Sequence, residues 1–215
     1  MEILPEALQA HDRYKLLIGG IVPRPIAFVS TVSPSGNFNL APYSFFTGVG
    51  SDPMTLLFCP VTLADGSDKD TLRNVLPRQA GGVGEFVVNV ASETYARQVA
   101  AAAEVLPYGE SEFDLTGLTP VPSTRVQPPR LAESPLSFEC ETLRVFRTNP
   151  GEPASGNVVI GQVVCVHVVE EMINERLHID ATQLEAFGRM GGLEYCHTTE
   201  RFEMPRGRRA LEEEN

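Results

Sequence analysis

Runs of apolar and β-branched residues along the chain predict a protein built mainly of β-strands. The predicted strands cover residues 26–32, 43–49, 54–59, 85–90, 136–147 and 157–170. A turn at Ser33–Asn37 follows the first of them, because Pro sets φ and Gly and Asn accept positive φ. The last, NVVIGQVVCVHVVEE, is dense in β-branched residues, and Gly161 inside it predicts a bulge or a bend.

Short helical segments are predicted between the strands. Residues 92–103 form the clearest helix, since a serine N-cap is followed by good helix formers. A shorter helix is predicted over residues 69–76, with Asp68 or Asp70 near its cap. The remaining predictions are a short helix or turn in residues 1–22 with a lead-in held by Leu16, Leu17 and Ile18, an ordered excursion over 104–135, and a helical turn at Asp180–Leu184. Many strands with a few short helices indicate a β-barrel with helical decoration.

Polar residues interrupt the apolar runs between Arg24 and Pro60, where a plain sheet would hold apolar side chains. They are small hydroxyls and amides flanked by aromatic residues, namely Ser30, Thr31, Asn39, Ser44 and Thr47. Such groups on rigid strands suit a flat, polar-edged ligand that carries a phosphate. The nucleotide-binding motifs GxGxxG and GxxxxGK[ST] are absent from the sequence. The pattern therefore predicts a ligand site built from β-structure.

Composition and charge exclude several classes of protein. A chain of 215 residues is most simply one domain with one sizeable core. The net charge of −11 argues against nucleic-acid binding, which needs clustered cations. No apolar run approaches the roughly 20 residues that span a bilayer, and the N-terminus is too acidic for a secretory signal. We therefore expect a cytoplasmic protein with no membrane contact. Its end, residues 206–215, combines three arginines with LEEEN and is expected to be a solvated acidic tail.

The four cysteines are widely spaced and contain no CxxC pair, which argues against a zinc site or a disulfide framework. Cys140 and Cys165 lie in apolar segments, where a free thiol packs as a small hydrophobe. Cys59 follows Phe58 at a predicted strand end, and core packing is favoured over a redox role. We expect no metal ion.

Cationic groups stand at three places where they could hold an anion. Lys69, Asp70 and Thr71 open a predicted helix and offer an ammonium, a hydroxyl and backbone N–H groups. The alternative there is a helix cap with a solvated lysine. Arg189 lies among flexible glycines and would reach a phosphate, or is a surface arginine in a turn. Arg24 lies before the first strand, and the sequence does not decide whether it contacts a ligand.

An ordered set of short strings resembles the flavin reductase-like, FMN-binding split-barrel family, and its flavoredoxin-like branch in particular. The strings are RPIAFVSTV, NLAPYSFF, SDP, KDTLRN, FVVN, SEFDLTGLTPVPS, ESPLSFEC, VIGQVV and GRMGGLEY. The resemblance implies a Greek-key split β-barrel over residues 1–215, with its core at about 20–200. It also implies a homodimer with non-covalent FMN near the subunit interface. The implied chemistry is hydride transfer from NADH or NADPH to flavin N5, which requires no acid–base residue, so we name no catalytic residue.

The resemblance places the flavin among residues of the first strands, the KDT segment and the GRMGG segment. The expected cofactor-binding residues are Arg24, Ser30, Thr31, Asn39, Leu40, Ala41, Pro42, Ser44, Phe45, Phe46, Lys69, Asp70, Thr71 and Arg189. Small Ala41 beside Pro42 would let the ring approach the backbone, and one of Phe45 and Phe46 would pack on it. Alternatively, Thr31 and Asn39 only flank a hairpin turn.

One position departs from the family pattern. Many flavin reductases of this family have a histidine associated with nicotinamide binding just before the strand that begins here as VVIGQVV, and this chain has Asn157. His197 is a candidate to take its place. The departure weakens the NAD(P)H-dependent flavin reductase hypothesis and leaves two alternatives open. They are a flavoredoxin-like electron carrier that serves a protein partner and a non-catalytic FMN-binding protein.

Overall fold

The computed structural model describes residues 1–211 of the chain. Its strands are β1 (Ala27–Val32), β2 (Phe38–Tyr43), β3 (Phe46–Ser51), β4 (Met54–Phe58), β5 (Glu85–Val90), β6 (Pro120–Val121), β7 (Arg130–Leu131), β8 (Leu136–Arg147), β9 (Asn157–Val168), β10 (Phe187–Arg189) and β11 (Tyr195–His197). Its α-helices are α1 (Ala10–Gly20), α2 (Asp70–Val75), α3 (Ala96–Ala101), α4 (Glu112–Thr116) and α5 (Ala181–Leu184). Of the predicted tail, residues 206–211 are exposed, and residues 212–215, which include its three glutamates, lie outside the described part.

Seven antiparallel strands form the main sheet, in the order β2-β1-β5-β8-β9-β4-β3. The edge strands β2 and β3 are consecutive in sequence, so the chain passes from one end of the sheet to the other between Tyr43 and Phe46. This short link draws the two ends together and curls the sheet into the predicted split barrel. The long hairpin of β8 and β9 lies at its centre, and the hairpin β10-β11 lies outside it.

Both faces of the sheet are buried at β1 and β5, which explains why these strands lack a regular apolar-polar alternation. Every residue of β1 is buried. One face packs inside the barrel around Phe58 and Phe86, whose ring centroids are 5.2 Å apart. The other face packs against α3, α4 and the following segment around Phe28 and Leu40.

The predicted excursion after residue 104 is ordered because buried polar side chains of the sheet bind its backbone. Ser30 donates to the carbonyl of Pro129 at 2.5 Å, and Asn89 accepts from the N–H of Leu131 at 2.9 Å. Fully buried Glu139 accepts from two further N–H groups of the segment, those of Thr124 and Arg125. Polar residues on these strands therefore stabilise the fold, whether or not some of them also contact a ligand.

The strand predictions are confirmed except at the second strand. Residues 85–90 and 136–147 match β5 and β8 in full, and those at 26–32, 54–59 and 157–170 differ from β1, β4 and β9 by one or two residues at an end. The predicted strand 43–49 is wrong, because it spans the end of β2, an irregular link and the start of β3. The bulge or bend predicted at Gly161 is only partly matched, because the β8-β9 register shifts beside the Thr142-Gly161 pair while the extra residue, Leu143, lies on β8.

Three helix predictions need correction. The N-terminal lead-in is wrong, because Leu16 and Leu17 lie in α1 with half of their surface exposed. The predicted helix 92–103 is a 3₁₀ turn capped by Ser92 and then the short α3. Asp68 does not cap α2, because both of its oxygens accept from Arg147, at 2.7 and 2.6 Å.

Among residues 1–211, no helix combines the length and apolar character that a membrane crossing requires.

Candidate functional site

A narrow cleft of about 80 Å³ runs beside β2, between the start of α2 and the segment that follows α3. This volume is below the roughly 300–1,000 Å³ typical of small-molecule sites, so a ligand of cofactor size would extend beyond the cleft. The cleft is lined by Asn39, Ala41, Pro42, Tyr43, Leu63, Lys69, Asp70, Ala102, Ala103, Glu104, Val105, Leu106 and Glu112. Five of the predicted cofactor-binding residues are thereby brought together, namely Asn39, Ala41, Pro42, Lys69 and Asp70.

The cleft exists because β2 is an edge strand that pairs only with β1. Pro42 is tolerated there, since proline removes no ladder hydrogen bond from a free edge. The N–H of Leu40 donates to Glu112 Oε2 at 2.8 Å, so a side chain covers part of this edge. Main-chain groups of β2 and the carboxylate of Glu112 thus form one polar wall of the cleft.

One ammonium and two carboxyl groups face each other across the cleft. Burial lowers the pKa of Lys69, and the nearby Glu112 opposes that change. Burial raises the pKa of Asp70, against the effects of Arg73 and of the N–H of Gly109. Burial also raises the pKa of Glu112, which the N–H of Leu40 counteracts most strongly. The protein environment therefore disfavours every one of these charges to some extent.

Replacing Glu112 with Gln should change the pH dependence of stability. The folded-state pKa of Glu112 is raised above its unfolded value, so ionisation of this group lowers the free energy of unfolding as pH rises through the folded pKa. Glu112→Gln lacks that loss. The difference in free energy of unfolding, variant minus parent, should increase from pH 4 to pH 8 in urea titrations. A difference that stays constant or falls with pH would contradict a raised pKa of Glu112 in the folded protein.

A buried network of amides and hydroxyls lies under the cleft. Asn39 donates to Thr31 Oγ1 at 3.2 Å and to Thr71 Oγ1 at 2.9 Å, and Asn74 donates to Thr31 Oγ1 at 2.9 Å. Thr31 and Thr71 are at most 1% exposed. Both hydroxyls therefore hold β1, β2 and α2 together, and any contact with a ligand would add to that role.

Adjacent residues of β1 and β2 point to opposite faces, which divides the predicted site. Ser30 lies on the face away from Thr31, where it binds Pro129 and accepts from Asn89 at 3.2 Å. Leu40 is fully buried in the core on that face. The side chains of Ser30 and Leu40 therefore do not line the cleft.

Arg24, Ser44, Phe45 and Arg189 form a separate group at the end of β2. The Arg24 guanidinium is buried and donates to Ser44 Oγ and to the carbonyls of Ile18, Ile21 and Met190. Arg189 donates to two carbonyls of its own hairpin and lies 4.4 Å from the Tyr195 ring centroid. The Arg24 guanidinium therefore joins α1, the end of β2 and the β10-β11 hairpin, whereas the Arg189 guanidinium stabilises its own hairpin.

The remaining residues singled out in the sequence lie elsewhere. Phe46 lines an apolar groove along β3 and β4, and Cys59 is half-buried with its pKa raised by burial. Asn157 is fully buried and donates to the carbonyls of Pro60 and Ser155. His197 pairs with Glu93 at 2.8 Å on an exposed surface.

Sequence analysis missed two residues of the cleft, Tyr43 and Glu112. Tyr43 continues the polar-aromatic string NLAPYSFF, and this position was the available signal. Glu112 comes 72 residues after the Leu40 N–H that it binds. Its position just after the helix-capping Ser111 looked like an ordinary first-turn acid, so no local signal marked it.

Comparison with protein families and curated proteins gives one consistent result. Residues 19–188 match the family described as "Flavin reductase like domain". The chain is 38% identical to the protein YwrF of Bacillus subtilis over 203 residues, which is 94% of this chain and 96% of the relative. It is also 38% identical over 208 residues to a Halalkalibacterium halodurans protein, covering 96% of each.

Solved structures resemble the whole chain. Nitrilotriacetate monooxygenase component B from Bacillus cereus is 35% identical, with a TM-score of 0.86 over 95% of this chain and 98% of that one. The 2-nitrobenzoate 2-nitroreductase NbaA of Pseudomonas fluorescens is 29% identical, with a TM-score of 0.84 over 97% of each chain. Flavoredoxin of Desulfovibrio vulgaris, at 20% identity and a TM-score of 0.68 over 85% of this chain and 91% of that one, shares the fold.

Proposed function

Because the chain belongs to the flavin reductase-like family, we propose that this flavin-related oxidoreductase binds FMN in the cleft beside β2 and reduces it with NADH or NADPH. The observation that carries the proposal is the cleft itself. It gathers Asn39, Ala41, Pro42, Lys69 and Asp70, which the family resemblance had assigned to the flavin, along one edge of a solvent-open cleft.

The polar groups of the cleft fit a flavin. Among the described residues, the buried Tyr43 hydroxyl and Asn74 Oδ1 make no hydrogen bond of acceptable geometry. Tyr43 lines the cleft, and Asn74 lies in the adjoining wall beside Asn39 and Asp70. Unpaired buried polar atoms destabilise a protein, so a ligand with donors and acceptors along one edge would compensate here. An isoalloxazine ring has such an edge.

Residues of the cleft would bind and orient the cofactor rather than exchange protons with the substrate. Ala41 and Pro42 leave room for a flat ring against the strand, while Lys69 supplies the positive charge. Bound FMN supplies a two-electron centre whose N5 accepts hydride from nicotinamide C4. The rate then depends on how the protein orients the two rings, which needs no acid–base residue.

Assembly and partners are further parts of the proposal. We propose that residues 1–215 act as one domain and form a homodimer with the flavin near the subunit interface. Half-exposed apolar residues of α1, such as Tyr14, Leu16 and Leu17, would suit such an interface. The similarity to a monooxygenase component suggests that a partner enzyme consumes the reduced flavin.

An absorbance spectrum of the purified protein tests the proposal first. FMN has about 30 heavy atoms, and at about 0.3 kcal/mol per atom a good site binds it with a dissociation constant of about a micromolar or below. We expect a flavin spectrum after purification or after FMN addition, and bleaching on anaerobic addition of NADH or NADPH. If no flavin binds even when added, the proposal fails.

Replacing Lys69 with Ala should weaken flavin binding about tenfold, which corresponds to about 1.4 kcal/mol. Among residues 1–211, Lys69 is the only cationic residue that lines the cleft, so its loss leaves the carboxyl groups there without a counter-charge. Fluorescence titration with FMN measures the effect. Arg78→Ala, at an exposed position outside the cleft, is the matched control and should bind FMN as the parent does. Equal affinity of both variants would remove Lys69 from the site.

A flavoredoxin-like electron carrier is the second candidate, and Asn157 favours it. This residue stands where many family members have the nicotinamide-associated histidine, and its amide is buried in hydrogen bonds with Pro60, Thr62 and Ser155. It is therefore not available to a nicotinamide. A bound flavin that only dithionite reduces, with little NAD(P)H turnover when free FMN is added, would support the carrier. Binding of FMN without any reduction by either route would indicate a non-catalytic FMN-binding protein.

A further inference from the structure

Three potential metal ligands meet on the β8-β9 hairpin, on the face that the ordered excursion covers. Cys165 and His167 are two residues apart on β9, so both side chains lie on the same face. Glu139 pairs directly with Cys165 across the hairpin. Cys165 Sγ is 3.5 Å from His167 Nε2, which is 2.5 Å from Glu139 Oε1. All three ligand atoms lie within 4.8 Å of one another.

Backbone packing holds the carboxylate of this cluster in place. Glu139 is 0% exposed, and its oxygens accept from the N–H groups of Thr124 at 2.7 Å and Arg125 at 2.6 Å. A ligand carboxylate that is itself hydrogen-bonded keeps its orientation when a metal binds. The register shift next to the Glu139-Cys165 pair leaves Val164 unpaired, and such a bulge re-aims neighbouring side chains.

The opposite side of the cluster is open to solvent. The side chain of His167 is 25% exposed, and it lines a surface cleft of about 410 Å³ together with Arg130 and Val166. An ion can therefore enter from this side, and a water molecule can occupy a fourth coordination position. This surface cleft and the cleft beside β2 have no lining residue in common.

We propose that Glu139, Cys165 and His167 form a binding site for a zinc-class divalent metal ion. Thiolate and imidazole select borderline-soft metals over Mg²⁺ and Ca²⁺. In a tetrahedral zinc site the sulfur and nitrogen ligands lie about 3.6 Å apart, which matches the 3.5 Å between Cys165 and His167. Three protein ligands with one open position are the arrangement of a zinc site that keeps a bound water.

Two features of the cluster oppose metal binding: the short contact between His167 and Glu139, and the positive charge of Arg130. The metal replaces the proton shared by His167 and Glu139, so their 2.5 Å separation must widen by about 0.9 Å to reach tetrahedral zinc geometry. A partly exposed histidine can make this movement. Arg130 Nε lies 3.9 Å from Glu139 Oε1 and repels a cation. The carboxylate and thiolate together carry two negative charges, which exceed that single positive charge.

This site departs from the expectation that the cysteine spacing excludes zinc. That expectation applies to sites built from several cysteines at short spacing. Here one cysteine combines with a histidine two residues later and with a carboxylate 26 residues earlier, which only the β8-β9 register brings together.

Metal titration of the full-length protein tests the inference. After chelator treatment and desalting, Zn²⁺ binding is measured by calorimetry, and Co²⁺ binding by difference spectra from which the cobalt-free protein is subtracted, so that any flavin absorbance cancels. We expect one equivalent per chain and a sulfur-to-cobalt charge-transfer band. Cys165→Ser and His167→Gln should each weaken binding at least about tenfold, since each removes one of three ligands.

Cys196→Ser is the matched control, because Cys196 packs against Gly188 on the β10-β11 hairpin and is outside the cluster. It should keep both the stoichiometry and the cobalt band. Cys165→Ser changes a single atom, so it carries the test even if His167→Gln fails to fold. Absence of stoichiometric binding, or a cobalt band that persists in Cys165→Ser, would overturn the metal site and leave a structural His-Glu pair. Either result leaves the flavin proposal unaffected.

Discussion

Gly161→Ala should lower the free energy of unfolding by about 3 kcal/mol, at the upper end of what overpacking a core usually does. A Cβ at this position would lie 2.3 Å from Phe86 Cζ and 3.2 Å from Cys140 Cβ. Phe86 has no free space to move into, because it is fully buried and packs edge-on against Phe58. For a chain of this size, thermal unfolding should shift down by roughly 6–12 °C, as calorimetry would measure.

A second strand glycine provides the control. Gly48 lies on the edge strand β3, where a Cβ would meet no atom within 4 Å, so Gly48→Ala should change stability by no more than about 0.5 kcal/mol. Combining Gly161→Ala with Phe86→Leu should cost less than the sum of the two single changes, since a smaller residue 86 relieves the clash. If Gly161→Ala is as stable as Gly48→Ala, the close packing of β9 on Phe86 is wrong.

One strand that the sequence predicted in full is β5, which carries the apolar run FVVNV. Four of its six residues are buried, and burial on both faces makes the apolar signal continuous. β2 was missed because Asn39 and Pro42 break its apolar pattern. An edge strand tolerates Pro42, and the side-chain amide of Asn39 donates to Thr31 and Thr71. Neither the edge position nor these hydrogen bonds can be inferred from the neighbouring sequence. For α1 the error was the reverse: the apolar run at Leu16 and Leu17 was predicted to hold a buried lead-in, but both side chains are half exposed.

Predictions for the candidate site depended on which face each side chain occupies. The family resemblance assigned Ser30 and Thr31 to one ligand, although adjacent strand residues point to opposite faces. Alternation alone would have separated them. The role of Arg24 was not predictable, because its hydrogen-bond partners include Met190, 166 residues away. Glu112 was missed for the same reason, since a contact across the fold leaves no local trace.

Ala41→Phe should weaken FMN binding by about 100-fold or more, which corresponds to at least about 2.7 kcal/mol. Ala41 lies in the middle of the cleft wall that β2 contributes, and it is only partly buried. A phenyl ring there would occupy space that a flavin ring needs against the strand. Partial exposure on an edge strand lets the larger side chain turn into the cleft, so the fold should be retained. Fluorescence titration with FMN and circular dichroism measure the two effects.

Two matched variants separate loss of space from other causes. Ala41→Ser keeps a small side chain at the same position and should bind FMN within about threefold of the parent, less than 1 kcal/mol in binding free energy. Thr47→Phe adds the same bulk to the exposed edge strand β3, outside the cleft, and should leave FMN binding unchanged. Unchanged FMN affinity in a folded Ala41→Phe protein would exclude the cleft beside β2 as the flavin site. Equal losses in Ala41→Phe and Thr47→Phe would point instead to a general effect on the sheet, since Thr47 does not line the cleft.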